Sequence, residues 1–268
     1  MQTREILSIK LINLYPVAMS EPFNLLIDIG NSQIKIAIWD GDSLSKRSTC
    51  NQNNFNLAIS KYKKIDIGKI FFVSVVSTDI NREIRTKLQK IFALKPMQFR
   101  ATHSLMGVKN GYKNPRQLGD DRWCCVVGGH IIIEKPFMVV DCGSAISIDF
   151  VNFNGKHEGG YILSGFEGYG DSFLHTHRLK NLKIKKINLS TRTSIAKETS
   201  DALVKGYILM VTSAIEKMYK EFATNIKYKP KLIITGPYSR EIFSHTSLKA
   251  KFEPDFALKC LGIISGEY

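Results

Sequence analysis

Apolar and polar positions follow one scheme twice along the chain. The run Leu25-Leu26-Ile27-Asp28-Ile29-Gly30-Asn31-Ser32 is apolar until it meets an acid and a glycine. The stretch Gln33–Trp39 then alternates, with Ile34, Ile36 and Ile38 against Gln33 and Lys35. The same order returns in Met138-Val139-Val140-Asp141-Cys142-Gly143-Ser144-Ala145 and the alternating Ile146–Val151, with the two acids 113 positions apart. A turn pair follows each time, Asp40-Gly41 and then Asn154-Gly155. Both dipeptides tolerate the positive φ that tight hairpins need. Each half is therefore predicted to open as strand, glycine turn, strand, turn, strand, which points to a duplicated α/β architecture with a cleft between the halves.

The remaining pattern fills in helices and further strands. Asn53–Lys63 has helical spacing, with Phe55, Ala58, Ile59 and Tyr62 on one face. Lys69–Val76 reads as a buried strand, Asp79–Ile91 as a helix capped by Thr78 or Asp79, and Lys95–Arg100 as a short strand. Gln117–Ile131 is predicted to be helical after Pro115, Phe166–Lys180 and Ser194–Phe222 to be helices, and Lys231–Thr235 to be a strand ending at Gly236-Pro237. Residues 239–268 are expected to hold another helix and a short strand near Phe256–Leu258. The organisation expected is an N-terminal extension over 1–22 and two subdomains over 23–116 and 117–268.

Composition narrows the classes. A chain of 268 residues buries roughly 70–75% of its unfolded surface and needs no disulfide or structural metal to fold. Five cysteines with no CxxC pair argue against a zinc site or a disulfide framework and for a reducing cytoplasm. No apolar run is long enough for a membrane span, and Lys10 interrupts Met1–Ser20, a poor signal peptide. The net charge of +14 invites a nucleic-acid reading, but the lysines are scattered and no aromatic-basic motif accompanies them. Anionic small-molecule substrates also favour a positive field.

Candidate chemistry gathers at the strand ends. Asp28, where a strand meets a sharp turn, is placed to hold Mg²⁺; Gly30 admits an anion to the backbone, Asn31 and Ser32 add donors, and Lys35 adds charge. Taken alone, D-I-G-N-S reads first as a tight hairpin turn. Its recurrence at Asp141–Ser144 suggests two facing loops that clamp a polyphosphate, as in ATPases with a duplicated ribonuclease-H-like core. In Gly119-Asp120-Asp121-Arg122 a carboxylate at a helix start can accept a hydroxyl proton and the arginine can hold an anion, or the acids merely cap the helix. Gly159–Gly165 brings backbone close to a ligand or serves packing. His175 and His177 lack a third metal ligand, Cys124-Cys125 reads as buried helix residues, and no Walker A, G-x-S-x-G or kinase H-R-D pattern occurs.

Taken in order, Asp28-x-Gly30-Asn31-Ser32-x-x-Lys35, Gly119-x-Asp121-Arg122, Asp141-x-Gly143-Ser144-Ala145 and Gly159-Gly160-x-Ile162-x-x-Gly165 resemble the motifs of type III pantothenate kinases, within the acetate and sugar kinase, heat-shock chaperone and actin superfamily. The resemblance runs from Phe23 to the C-terminus. It implies two ribonuclease-H-like α/β subdomains and ATP-dependent phosphorylation of pantothenate, the first step of coenzyme A synthesis, by a cytoplasmic homodimer. It further implies that Asp28, Ile29, Gly30, Asn31, Ser32, Gln33, Ile34 and Lys35 form the first phosphate loop with Mg²⁺ near Asp28, and that Ser144 contacts ATP. Asp121 is then the general base; Tyr112, Gly119, Asp120, Asp121, Arg122 and Thr199 contact pantothenate; and Asp141 holds K⁺ or NH₄⁺. Ser32 and Ser144 stand where the family carries threonine, Ser164 where it carries proline, and Gly236-Pro237 where it carries two glycines. Two other readings remain open at this point, a kinase-like binding protein without turnover and a kinase for another small alcohol.

Overall fold

A computed structural model describes residues 22–173 and 195–267. In chain order its elements begin with β1 (Phe23–Ile29), β2 (Ile34–Trp39), β3 (Leu44–Cys50), α1 (Phe55–Ser60), β4 (Ile67–Ser74), α2 (Thr78–Phe92) and β5 (Met97–Gln98). A small hairpin of β6 (Ser104–Leu105) and β7 (Val108–Lys109) leads to α3 (Asp120–Ile133). The second half comprises β8 (Phe137–Cys142), β9 (Ala145–Val151), β10 (His157–Ser164), α4 (Phe166–Asp171), α5 (Thr199–Ile226), β11 (Lys231–Thr235), α6 (Ser239–Phe243), β12 (Lys251–Phe252) and α7 (Phe256–Ser265).

The two halves repeat one topology. Their sheets run β3-β2-β1-β4-β5 and β10-β9-β8-β11-β12. In each, the first three strands pair antiparallel and the last two add in parallel. This is a duplicated ribonuclease-H-like arrangement. Gly41 and Gly155, the glycines of the repeated turns, both sit at positive φ, 104° and 68°.

Period-2 alternation decides which layer each strand residue joins. On the first sheet, Leu25, Ile27, Ile34, Ile36, Ile70 and Phe72 face α1 and α2, while Leu26, Ala37, Trp39, Phe71 and Val73 face inward. On the second, Met138, Val140, Ile146, Ile148 and Ile234 pack on α5, while Phe137, Val139, Val151 and Ile233 face inward. Between the sheets lie α3 and α7. Both are largely buried and share one core with the inner faces of the two sheets. The C-terminal α7 reaches back to the first sheet, where Asn24 Nδ2 donates to Ser265 Oγ at 3.1 Å.

Several boundaries differ from the sequence pattern. The segment Phe256–Leu258 is the first turn of α7 and not a strand, because a short apolar run has no period of its own and here both helix faces are covered. The short strand of this region lies earlier, at Lys251–Phe252. Ser77, not Thr78 or Asp79, caps α2, its Oγ accepting from the Ile80 amide. The helix expected from Gln117 starts at Asp120, since Pro115–Gln117 forms a separate 3-10 turn. His175, His177 and the end of the Phe166–Lys180 helix lie outside the described residues.

Candidate active site

Equivalent positions of the two repeats meet in one cleft. Asp28 is the penultimate residue of β1 and pairs with Lys35 across β2; Asp141 is the penultimate residue of β8 and pairs with Ser147. Each strand then turns tightly, through Gly30 N–H to the Gln33 carbonyl at 3.0 Å and Gly143 N–H to the Ala145 carbonyl at 3.1 Å. The loops so formed touch, with Ser32 Oγ and Ser144 Oγ 2.8 Å apart. A cavity of about 560 Å³ lies against them. Its wall takes Asp28, Gly30, Asn31, Ser32, Gln33 and Lys35 from the first repeat and Asp141, Gly143, Ser144 and Ala145 from the second. The N-terminus of α3 adds Gly119, Asp121 and Arg122, and Glu167, Gly236, Pro237 and Tyr238 also line it.

Three aspartates, Asp28, Asp121 and Asp141, thus share a recessed space. Burial pushes Asp28 up to about 7; the charges of Asp121 and Asp141 add to the shift and Lys35 opposes it. Burial likewise raises Asp141 to about 6, again with Asp121 adding and Lys35 opposing. Asp121 is raised chiefly by burial, and its Oδ1 accepts from the Arg122 amide at 2.7 Å. Lys35 is held in place by donating to the Pro254 carbonyl at 2.8 Å, just before α7.

Behind the cleft lies a polar network that the sequence reading did not single out. Arg122 donates through Nε and Nη2 to the two oxygens of Asp149, at 2.9 and 2.7 Å, with both side chains buried. His157 Nε2 lies 2.8 Å from Asp149 Oδ1, and Arg122 Nη1 donates to the Tyr112 hydroxyl at 3.0 Å. Tyr112 stacks on His157 at 5.9 Å between centroids. Burial would raise Asp149, but hydrogen bonds from His157 and Arg122 outweigh it and hold the carboxyl below its usual range. The pair lies directly over Gly160, where an added Cβ would come within 2.7 Å of Arg122 Nη2 and of Asp149 Oδ1. The glycine of this strand therefore serves close approach by a side-chain pair. One signal was present in the sequence: Asp149 sits between Ile148 and Phe150 in a strand covered on both faces.

Other expected site residues fall elsewhere. Asp120 turns away from the cleft, accepting from the Ala101 amide at 2.8 Å and pairing with Arg100 at 3.2 Å. Ile29 and Ile34 belong to the loop by backbone only, their side chains being fully buried in the outer core of the first sheet. Tyr112 stands behind Arg122 and is not part of the cleft wall, and neither is Thr199, an exposed residue at the start of α5.

The family model for type III pantothenate kinase matches residues 24–221. The chain belongs to the type III pantothenate kinase family. Among its relatives, a type III pantothenate kinase of Pseudomonas paraeruginosa is 26% identical over 243 residues, covering 89% of this chain and 97% of that protein. One from Nitrosococcus oceani is 28% identical over 253 residues, covering 90% and 93%. Solved structures agree on the fold. A Campylobacter jejuni protein described as a Baf family transcriptional activator superposes with a TM-score of 0.57 at 24% identity, covering 91% of this chain and 98% of that one. The activator of the 2-hydroxyisocaproyl-CoA dehydratase from Clostridium difficile, with bound ADPNP, gives 0.50 at 11% identity, covering 91% and 94%. As a member of the type III pantothenate kinase family, the chain is an ATP-dependent kinase, a phosphotransferase with an alcohol acceptor.

Proposed function

We propose that the chain phosphorylates pantothenate with ATP to give 4′-phosphopantothenate, the first step of coenzyme A biosynthesis, in the cytoplasm. The observation that carries this reading is the meeting of two phosphate-loop turns, Ser32 on Ser144, beside the carboxylate of Asp121. In the step proposed, the substrate hydroxyl oxygen forms a bond to the γ-phosphorus. The bond from that phosphorus to the β,γ-bridging oxygen breaks, its electron pair stays on ADP, and the hydroxyl proton passes to Asp121. An alcohol does not ionise near neutral pH, so a base must take the proton as the new bond forms. The raised affinity of Asp121 for a proton suits that task.

The donor set fits cations. Three crowded carboxylates face one lysine, and raised values at Asp28 and Asp141 mark a negative potential that a cation relieves. Mg²⁺ is commonly held by one or two carboxylates with water and phosphate oxygens. In this reading Asp28 holds Mg²⁺ and Asp141 holds K⁺ or NH₄⁺, and the bound cations supply positive charge against the triphosphate. The backbone amides of Asn31 and Ser32 and the Ser144 hydroxyl position the phosphates. Arg122 retains two N–H groups with no partner among the described residues, and these can meet the acceptor. The reading includes a homodimer, supported by exposed Leu209 and Met210 on α5, 67% and 47% accessible.

The test is a coupled ADP-release assay with ATP, Mg²⁺ and pantothenate in K⁺ or Na⁺. Turnover that requires pantothenate and prefers K⁺ supports the reading. Turnover with another alcohol alone reassigns the acceptor, and none with any alcohol leaves a binding protein.

A further inference from the structure

The first halves of β8 and β11 lead away from the cleft to a second concavity. Its volume is about 760 Å³. Phe137 and Lys231 are paired at this end of the sheet, as Asp141 and Thr235 are at the cleft end. Four residues of rise separate them, roughly 13 Å. Six lysines line the hollow: Lys135, Lys229, Lys231, Lys249, Lys251 and Lys259. They come from four stretches of chain that only folding brings together: the α3–β8 connection, the start of β11, the region of β12, and α7. Glu253, the one acid in the wall, is occupied by Lys251 at 2.5 Å. Among the described residues the other five lysines have no acidic partner within 4.0 Å. Ile132, Ile133 and Tyr228 supply an apolar side to the same hollow.

We infer that this hollow binds a small molecule carrying a di- or triphosphate chain, at a site separate from the catalytic cleft. Lysines that line one hollow without acidic partners raise its positive potential, and a mobile anion relieves their repulsion. One phosphate group, with about two negative charges, is too little to match five ammonium groups; a polyphosphate chain is matched. The volume is that of a site for a cofactor-sized ligand, about 300–1,000 Å³. A nucleic-acid strand calls for an elongated track, whereas these lysines ring a concavity with a wall of isoleucine side chains. The inference does not depend on pantothenate being the acceptor.

Two probes distinguish an inorganic chain from one with an organic group: sodium tripolyphosphate and ADP, each added to the full chain at moderate salt. Hydrogen exchange by mass spectrometry locates each. Tripolyphosphate is expected to slow exchange in peptides spanning residues 131–135, 227–233 and 247–253, and a larger effect with ADP around Tyr228 assigns a nucleotide. The K229E/K231E/K249E variant should bind tripolyphosphate at least about tenfold more weakly at this site. Its ADP-release rate with ATP and pantothenate should be unchanged. K229Q/K231Q/K249Q serves the same purpose if charge reversal impairs folding. Protection confined to residues 28–35 and 141–145, or a tripolyphosphate affinity equal to wild type in both variants, overturns the inference. So does a single-stranded oligodeoxynucleotide that protects the lysine peptides more tightly than tripolyphosphate.

Discussion

Replacing Asp149 by Asn probes the network behind the cleft most directly. The wild-type carboxylate accepts twice from Arg122, at 2.9 and 2.7 Å, and lies 2.8 Å from His157 Nε2. An amide offers one acceptor oxygen, so one side of the pair becomes donor against donor. The Arg122 guanidinium, only 8% exposed, is then a buried charge without a counter-ion. Removing one partner of such a pair costs about 3–5 kcal/mol, a large fraction of a typical total of about 5–15 kcal/mol. At about 2 °C per kcal/mol for a chain of this size, thermal unfolding should move down by about 6–10 °C. Acid sharpens the test. Because its partners hold Asp149 below the ordinary value, its contribution is full above the unfolded carboxylate value of about 3.9. The contribution is lost as pH falls through the lower folded value, so the gap between wild type and variant should narrow below about pH 4. Circular-dichroism melts across pH supply the readout. A variant that melts within about 1 °C of wild type at neutral pH would refute the reasoning, and partial recovery on adding Arg122→Met would support it.

Asp121→Asn should lower turnover by about 10²–10⁴-fold while nucleotide affinity, measured calorimetrically, stays within a few-fold; near-normal turnover would move the base elsewhere. Gly160→Ala brings a methyl group to 2.1 Å from the Ile148 carbonyl oxygen as well as onto the Arg122–Asp149 pair, so a stability loss of about 1–3 kcal/mol or more is expected in urea titrations. Asp28 and Asp141, raised to about 7 and about 6, retain protons in the free cleft that a bound cation displaces. Binding of Mg²⁺–ATP near pH 6.5 should therefore release about half a proton or more, and affinity should rise with pH up to about 7. Calorimetry in two buffers of different ionisation heat reads that release, and identical heats would count against it. With no ligand bound, the same raised values mean that the folded state binds protons more tightly than the unfolded chain. Unliganded stability should accordingly decline as pH rises from about 4 to about 7.

Local chemistry was enough to reveal the repeat. Asp28 and Asp141 each end an apolar run and precede a glycine turn, and strand alternation around them is a short-range property that survives in any tertiary setting. The family resemblance added, by position, the roles expected of Asp121 and Arg122. Covered elements were harder to read. The start of α7 is buried in the core shared by the two sheets, and a run as short as Phe256–Leu258 carries no helical period of its own. Asp120 and Asp121 are neighbours in sequence and near-equal as candidates; only the position of Arg100 and the Ala101 amide draws Asp120 away from the cleft. The Arg122–Asp149 pair and the lysines of the second hollow depend on contacts between separate stretches of chain, and Asp149 and His157, eight positions apart, meet only because β9 and β10 pair in register. Periodicity and turn chemistry act within a few residues and so define strands, helices and their faces. Which charges end up buried together depends on how those faces stack, a question of long-range packing that local pattern does not encode.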